Sequence, residues 1–170
     1  MTALGIELSG AISESPLFRR DGARERLSIY TSAPLVGSIE AIAWLAGPHM
    51  FKREVWLIST LPAHEHANAR LWLAHQNFFN RTSLERWRLK FVANDAEKLR
   101  AVRSLKITHF IDPRLDGLVG MSTMQHRCLL DLTGKEELKL DRIRDTATGA
   151  TIRVMRDWDD VLHYMMHAVP

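Results

Sequence analysis

Thr108-His109-Phe110-Ile111-Asp112-Pro113-Arg114 reads as a short apolar strand, over 108–111, that stops on a carboxylate. The same arrangement occurs twice upstream. Val55-Trp56-Leu57-Ile58-Ser59-Thr60 ends in a hydroxyl pair, and Ile6-Glu7-Leu8-Ser9-Gly10 carries a glutamate and a serine into a glycine turn. Ahead of the last strand, Asn94 and Glu97 have the spacing of a capping box. The helix they open carries Lys98 near its start. In chain order this gives a carboxylate, two hydroxyls, a lysine and a second carboxylate, the layout of a phosphoryl-transfer site.

Outward from these stretches, strand and helix patterns alternate. Leu35, Ile39, Ile42, Ala43 and Ala46 predict a helix over 34–46, with Ser32 as its cap and Gly47-Pro48 as its stop. A second helix is expected over 63–77, with Ala67, Leu71, Ala74 and Phe78 on one face. Short strands are expected at 89–92, 127–132 and 152–155, and a short helix at 115–119. A terminal helix is opened by Asp157 with Asp160. Residues 133–150 are polar and give no assignment. Residues 13–33, with Arg19, Arg20, Arg24 and Arg26 and an apolar run Leu27-Ser28-Ile29-Tyr30, read as a flap or loop insert. The expected fold class is α/β, a Rossmann-like three-layer sandwich with a central mostly parallel sheet. The expected organisation is one domain over 1–170. In such sheets ligands bind outside the carboxyl ends of the strands, where the strand order reverses.

The bulk numbers agree with a globular chain. Of 170 residues, 46% are hydrophobic and 25% charged, and the net charge of +3 is spread along the sequence. Dispersed basic residues disfavour nucleic acid as a partner. The one cysteine, Cys128, excludes an internal disulfide and a cysteine-based zinc site, and its apolar setting reads as a buried thiol. No apolar run approaches the roughly 20 residues that span a bilayer. No secretory leader pattern opens the chain, so the expected location is cytoplasmic and no membrane partner is expected.

The ordered residues resemble the haloacid dehalogenase-like (HAD-like) superfamily, whose best-known members are magnesium-dependent phosphatases. Val55 to Thr60 resembles its second motif, Ala96-Glu97-Lys98 its third, and Ile107 to Asp116 its fourth. Trp72-Leu73-Ala74-His75 and Phe78-Phe79-Asn80-Arg81-Thr82 resemble the helix and loop of small bacterial members. The first motif, D-x-[DT]-G in the family, is Glu7-Leu8-Ser9-Gly10 here. The resemblance implies that Ser59, Thr60 and Lys98 bind phosphate. It implies that Glu7, Asp112 and the Ser9 carbonyl hold Mg2+, and that Glu7, Ser9, Lys98 and Asp112 are the catalytic set. Glu7 adds a methylene to the nucleophile, and a misplacement of about 1 Å can cost ~100-fold in rate. Ser9 also replaces a carboxylate that would act as acid and base. The resemblance therefore implies a capless or minimally capped member with a degenerate phosphohydrolase site. Such a protein binds a phosphorylated small molecule or a protein partner. The alternatives are a magnesium-dependent phosphatase acting on a large substrate and a non-catalytic assembly subunit. An open site also leaves room for a second subunit over it, as in a homo-oligomer.

Other residues have plainer readings. His64 and His66, two apart, do not share a helix face. His163 and His167 do, but no acidic third zinc ligand stands at useful spacing. Trp44, Trp56, Trp72, Trp87 and Trp158 read as core or interface, and the arginines of 19–26 as a solvated loop.

Overall fold

The computed structural model describes residues 2–13 and 32–169. Most of the expected flap, including Arg19, Arg20, Arg24, Arg26 and Leu27 to Tyr30, lies outside the described residues. Among those described, six strands form one all-parallel sheet. They are β1 (Leu4–Ile6), β2 (Val55–Ser59), β3 (Leu89–Phe91), β4 (His109–Asp112), β5 (His126–Leu130) and β6 (Ile152–Met155), in the order β3-β2-β1-β4-β5-β6. Seven helices join them: α1 (Ser38–Leu45), α2 (His66–His75), α3 (Phe78–Thr82), α4 (Asp95–Ser104), α5 (Leu115–Val119), α6 (Lys135–Leu140) and α7 (Trp158–Ala168).

The strands are near-continuous apolar runs because both faces of the sheet are covered. Alternation of side chains sorts them into two cores. Leu4, Ile6, Val55, Leu57, Ile111, Cys128 and Leu130 face one core, closed by residues of α1, α2, α3 and α7. Trp56, Ile58, Phe110, Leu129 and Ile152 face the other, closed by Val102 of α4, Leu115 and Leu118 of α5 and Leu140 of α6. The result is the three-layer α/β architecture that the alternating pattern predicts. No helix among the described residues is long and apolar enough to cross a membrane. Cys128 is buried, and loss of hydration pushes its thiol up to about 12, so it stays protonated.

Several boundaries differ from the sequence reading. Helix α1 starts at Ser38, not at Pro34, because Pro34 bridges to Ser13 and the left-handed Gly37 (φ 75°) takes the N-cap position. Ser32 therefore caps nothing there. Instead its carbonyl accepts the Trp72 indole N–H at 2.8 Å. Helix α2 begins only after a 3-10 turn over Ala63–Glu65, and its buried residues are Ala69, Trp72 and Leu73. The expected stripe is wrong: Ala67 and Ala74 are exposed and Leu71 is half exposed. Phe78 is buried but belongs to α3, past a left-handed break at Asn77 (φ 52°). Helix α6 was not assigned from sequence. It is opened by Asp131, whose carboxylate accepts the N–H groups of Thr133, Gly134 and Glu137 at 3.2, 2.9 and 2.8 Å. Burial pushes the Asp131 carboxyl up, but these donors outweigh it and hold it below the ordinary range.

At the amino ends of the strands, His109 and His126 stack with centroids 4.1 Å apart and planes within 5°. Phe51 meets His109 edge-on, the Thr108 hydroxyl lies 2.8 Å from its Nδ1, and the Tyr164 hydroxyl lies 2.9 Å from His126 Nδ1. Burial, with the neighbouring His126, holds His109 down at about 4, against 6.5 ordinarily. The unfolded chain thus takes up the proton first. Stability from His109 is full above pH 6.5 and lost as pH falls to about 4, by about 3 kcal/mol at most. Half-buried His126 is also held low and works in the same direction. Asp112, discussed below, works oppositely. Urea midpoints of the wild type and His109→Gln, taken from pH 7.5 to 4.5, are expected to converge on acidification. A gap that does not change with pH would refute this account.

Candidate functional site

The chain builds outward from β1 to β2 and β3, then crosses back through α4 to lay β4 on the other side of β1. The strand order reverses between β1 and β4. Glu7 directly follows β1 and Asp112 ends β4, on the face covered by α4 and α5. The capping box forms as the sequence predicts: Asn94 Oδ1 accepts the Glu97 N–H at 2.9 Å, and Glu97 Oε2 accepts the Ala93 N–H at 2.8 Å. The cap fixes the first turn of α4. Lys98, with Val102 one turn on, makes up the buried stripe of that helix.

The three ionisable groups meet. Lys98 Nζ donates to Glu7 Oε2 at 2.6 Å and to Asp112 Oδ2 at 2.7 Å. Lys98 and Asp112 are 0% exposed and Glu7 is 2% exposed. The second oxygen of each carboxylate is also engaged. Glu7 Oε1 accepts its neighbour's N–H, from Leu8, at 3.0 Å, and Asp112 Oδ1 accepts the Arg114 N–H at 2.9 Å. Thr60 Oγ1 stands 3.5 Å from Glu7 Oε2. The Glu7 carboxylate thus folds back onto the backbone of the next residue.

Burial would lower the Lys98 ammonium, but the charges of Asp112 and Glu7 outweigh it and hold it above its ordinary value. Burial pushes Asp112 up to about 6, with Lys98 pulling it down and Glu7 pushing it further up. Below pH 6 the folded state takes up this proton first, so the ionised triad belongs to neutral and higher pH. Gly117 of α5 is small because this carboxylate lies over it: a Cβ there would sit 2.2 Å from Asp112 Oδ2.

The residues read from sequence separate into two groups. Glu7, Lys98, Asp112 and Thr60 come together. Ser59 does not join them. It alternates with Thr60 and shares its face with Val55 and Leu57, and its buried hydroxyl has no hydrogen-bond partner among the described residues. Ser9 is half-buried in the turn after Leu8, bridged to Ser13, with Gly10 (φ 82°) taking the left-handed position. Asp116 is exposed, and its charge acts on Lys139 instead. His64 is exposed, while His66 stacks on Phe91 at 3.9 Å.

Two residues were missed. The Arg114 guanidinium donates to Asp95 Oδ1 at 3.0 Å and to Thr60 Oγ1 at 3.4 Å. Asp95 Oδ1 is also 3.8 Å from Lys98 Nζ. The Arg114–Asp95 pair thus spans from β4 to α4 at the solvent side of the buried triad. Burial would lower the Arg114 guanidinium, but Asp112, Asp95 and Glu7 hold it above its ordinary value. In the sequence, Arg114 looks like a solvated charge and Asp95 like a first-turn acid suited to the helix dipole. Only the crossing of β4 past β1 brings them together.

No protein-family model matches the chain, and no curated protein matches it. Among the described residues, no three His, Cys, Asp or Glu side chains converge as a metal site.

Proposed function

We propose that this chain is a HAD-like protein with a degenerate phosphohydrolase site, which binds a phosphorylated small molecule without turning it over efficiently. The observation that carries this reading is the state of Glu7. Both its oxygens are engaged, one by Leu8 N–H and one by Lys98, and the residue is 2% exposed. In-line attack on phosphorus needs a carboxylate oxygen that the substrate can reach, placed to a fraction of an ångström. Thr60 and the Arg114 guanidinium, at the solvent side, are the groups that would meet a phosphate first. Arg114 suits this task because its planar fork matches phosphate oxygens.

The charge of the triad suits magnesium but its packing does not: all four oxygens of Glu7 and Asp112 are engaged and neither residue is more than 2% exposed, which leaves no room for the ion's waters. Glu7 and Asp112 carry one negative charge more than Lys98 neutralises, and magnesium commonly takes one or two carboxylates with water completing its shell.

A second reading, a magnesium-dependent phosphatase, is favoured by the convergence of Glu7, Thr60, Lys98 and Asp112 from four distant stretches. The Glu7→Asp variant separates the two. Calorimetry with inorganic phosphate is expected to show binding by the wild type and none by Arg114→Ala. Phosphate release from a phosphomonoester panel is expected to be near background for the wild type and to rise at least 10-fold in Glu7→Asp. Robust, metal-dependent turnover by the wild type would establish the phosphatase. No binding by either protein would reject a phosphate site and turn the search to protein partners.

A further inference from the structure

Away from this site, the segment Arg86-Trp87-Arg88-Leu89-Lys90 runs through a 3-10 turn (Arg86–Arg88) into β3, an edge strand of the sheet. Trp87 is 59% exposed, yet it is held in place. Its ring meets Trp56 edge-on at 5.2 Å and 72°. The Arg88 guanidinium lies 4.6 Å from the Trp87 centroid and 4.9 Å from that of Trp56. Arg88 is itself fixed: it donates to both oxygens of Glu54 at 3.2 and 3.1 Å and to Glu85 at 3.2 Å, and is buried. The Trp87 indole is thus held by a clamped cation and by Trp56, and the residue stays 59% exposed.

Two further cations lie over other rings nearby in the sequence or the fold. Lys90 Nζ lies 5.4 Å from the Trp56 centroid, and Arg86 lies over Phe79 at 5.2 Å. Neither is paired with a carboxylate among the described residues. The charge of Arg53 reaches Glu85 from the loop before β2. Arg53, Arg86, Arg88 and Lys90 stand against two carboxylates, Glu54 and Glu85. The surface is therefore a rigid π-face with a surplus of positive charge. An exposed tryptophan held rigid loses little entropy when a flat partner stacks on it. A partner that is both flat and anionic satisfies both features, and an unstacked nucleotide strand is such a partner.

We propose that the Trp87 edge binds single-stranded nucleic acid, a base stacking on the indole and flanking phosphates meeting Arg86 and Lys90. The sequence spreads its basic residues and so disfavours this partner. The fold brings Arg88 and Lys90 to the Trp56–Trp87 pair, with Arg86 over Phe79 and the charge of Arg53 acting on Glu85. The proposal is independent of the phosphate site, since Trp56 and Arg88 lie toward the amino ends of β2 and β3, and Glu7 and Asp112 at the carboxyl ends of β1 and β4.

The test is fluorescence anisotropy with a labelled 20-mer of deoxythymidine at 50 and 200 mM salt. The wild type is expected to bind, more weakly at the higher salt. Trp87→Ala is expected to lose roughly 5- to 100-fold in affinity. Trp87→Phe should retain part of that affinity, and Arg86→Ala/Lys90→Ala should bind weakly with a shallower salt dependence. Circular dichroism checks that the variants keep the fold, as an exposed position allows. No binding by the wild type, equal affinity for Trp87→Ala, or equal binding of poly-glutamate would each overturn the proposal. The last outcome would mean an acidic protein surface as partner.

Discussion

Lys98→Met is expected to lose about 3–5 kcal/mol of stability, the usual consequence of removing one partner from a buried ion pair. The ammonium is the shared donor to Glu7 and Asp112, at 2.6 and 2.7 Å, and none of the three is more than 2% exposed. Without it, two carboxylates face each other out of reach of water. They cannot both stay ionised, and one takes a proton, as like charges in close contact require. The loss should therefore shrink on acidification from pH 7 to 5, since the folded variant takes up a proton that the unfolded chain does not. Urea midpoints at the two pH values check this. Replacing all three residues by apolar ones of similar volume should recover much of the loss, because the triad's net contribution is small once desolvation is counted. A loss under about 1 kcal/mol for Lys98→Met would mean that the ammonium is solvated after all.

The second large effect is expected at Trp158. Its indole N–H donates to the Ala11 carbonyl at 2.8 Å, and the side chain is 2% exposed. It ties the first turn of α7 to the stretch that follows Glu7. Trp158→Ala should lose about 3–5 kcal/mol through the cavity it leaves. Trp158→Phe keeps most of the packing but orphans a buried carbonyl, at about 1–3 kcal/mol. If the residue also positions the Glu7 turn, phosphate binding should weaken in Trp158→Phe although the fold survives. Equal stability of Trp158→Ala and the wild type would show that α7 is not docked through this residue.

The layered architecture was legible because buried parallel strands leave continuous apolar runs between capped helices. Asn94 with Glu97 and Asp157 with Asp160 cap α4 and α7 as read, since such boxes depend only on local spacing. The face of α2 was misread because Ala67, Leu71 and Ala74 form a stripe as regular as the true one. The choice was made by Trp72 reaching Ser32, a contact 40 residues away in sequence. Helix α6 was missed because its cap, Asp131, precedes it across a loop and only Leu140 is buried. At the candidate site, the polar strand ends and a capped helix start singled out Glu7, Thr60, Lys98 and Asp112, which the structure brings together. The direction of Ser59 depends on the pleat, and the position of Arg114 depends on a strand crossing, so neither was written in local pattern.

The place of β1 in the sheet has a consequence for synthesis. Its neighbours are β2 and β4, with Leu4 opposite Val55 on one side and His109 on the other. A growing chain can pair one side of β1 early, but the other side stays bare until β4 has left the ribosome. During that interval the amino-terminal half presents an apolar strand with unmatched N–H and C=O groups, a template for the wrong neighbour. The carboxylate of Glu7 sits at the end of that bare edge without the lysine that later neutralises it. A charge at the end of an exposed strand edge disfavours mispairing, and Glu7 places one there before its native partners exist.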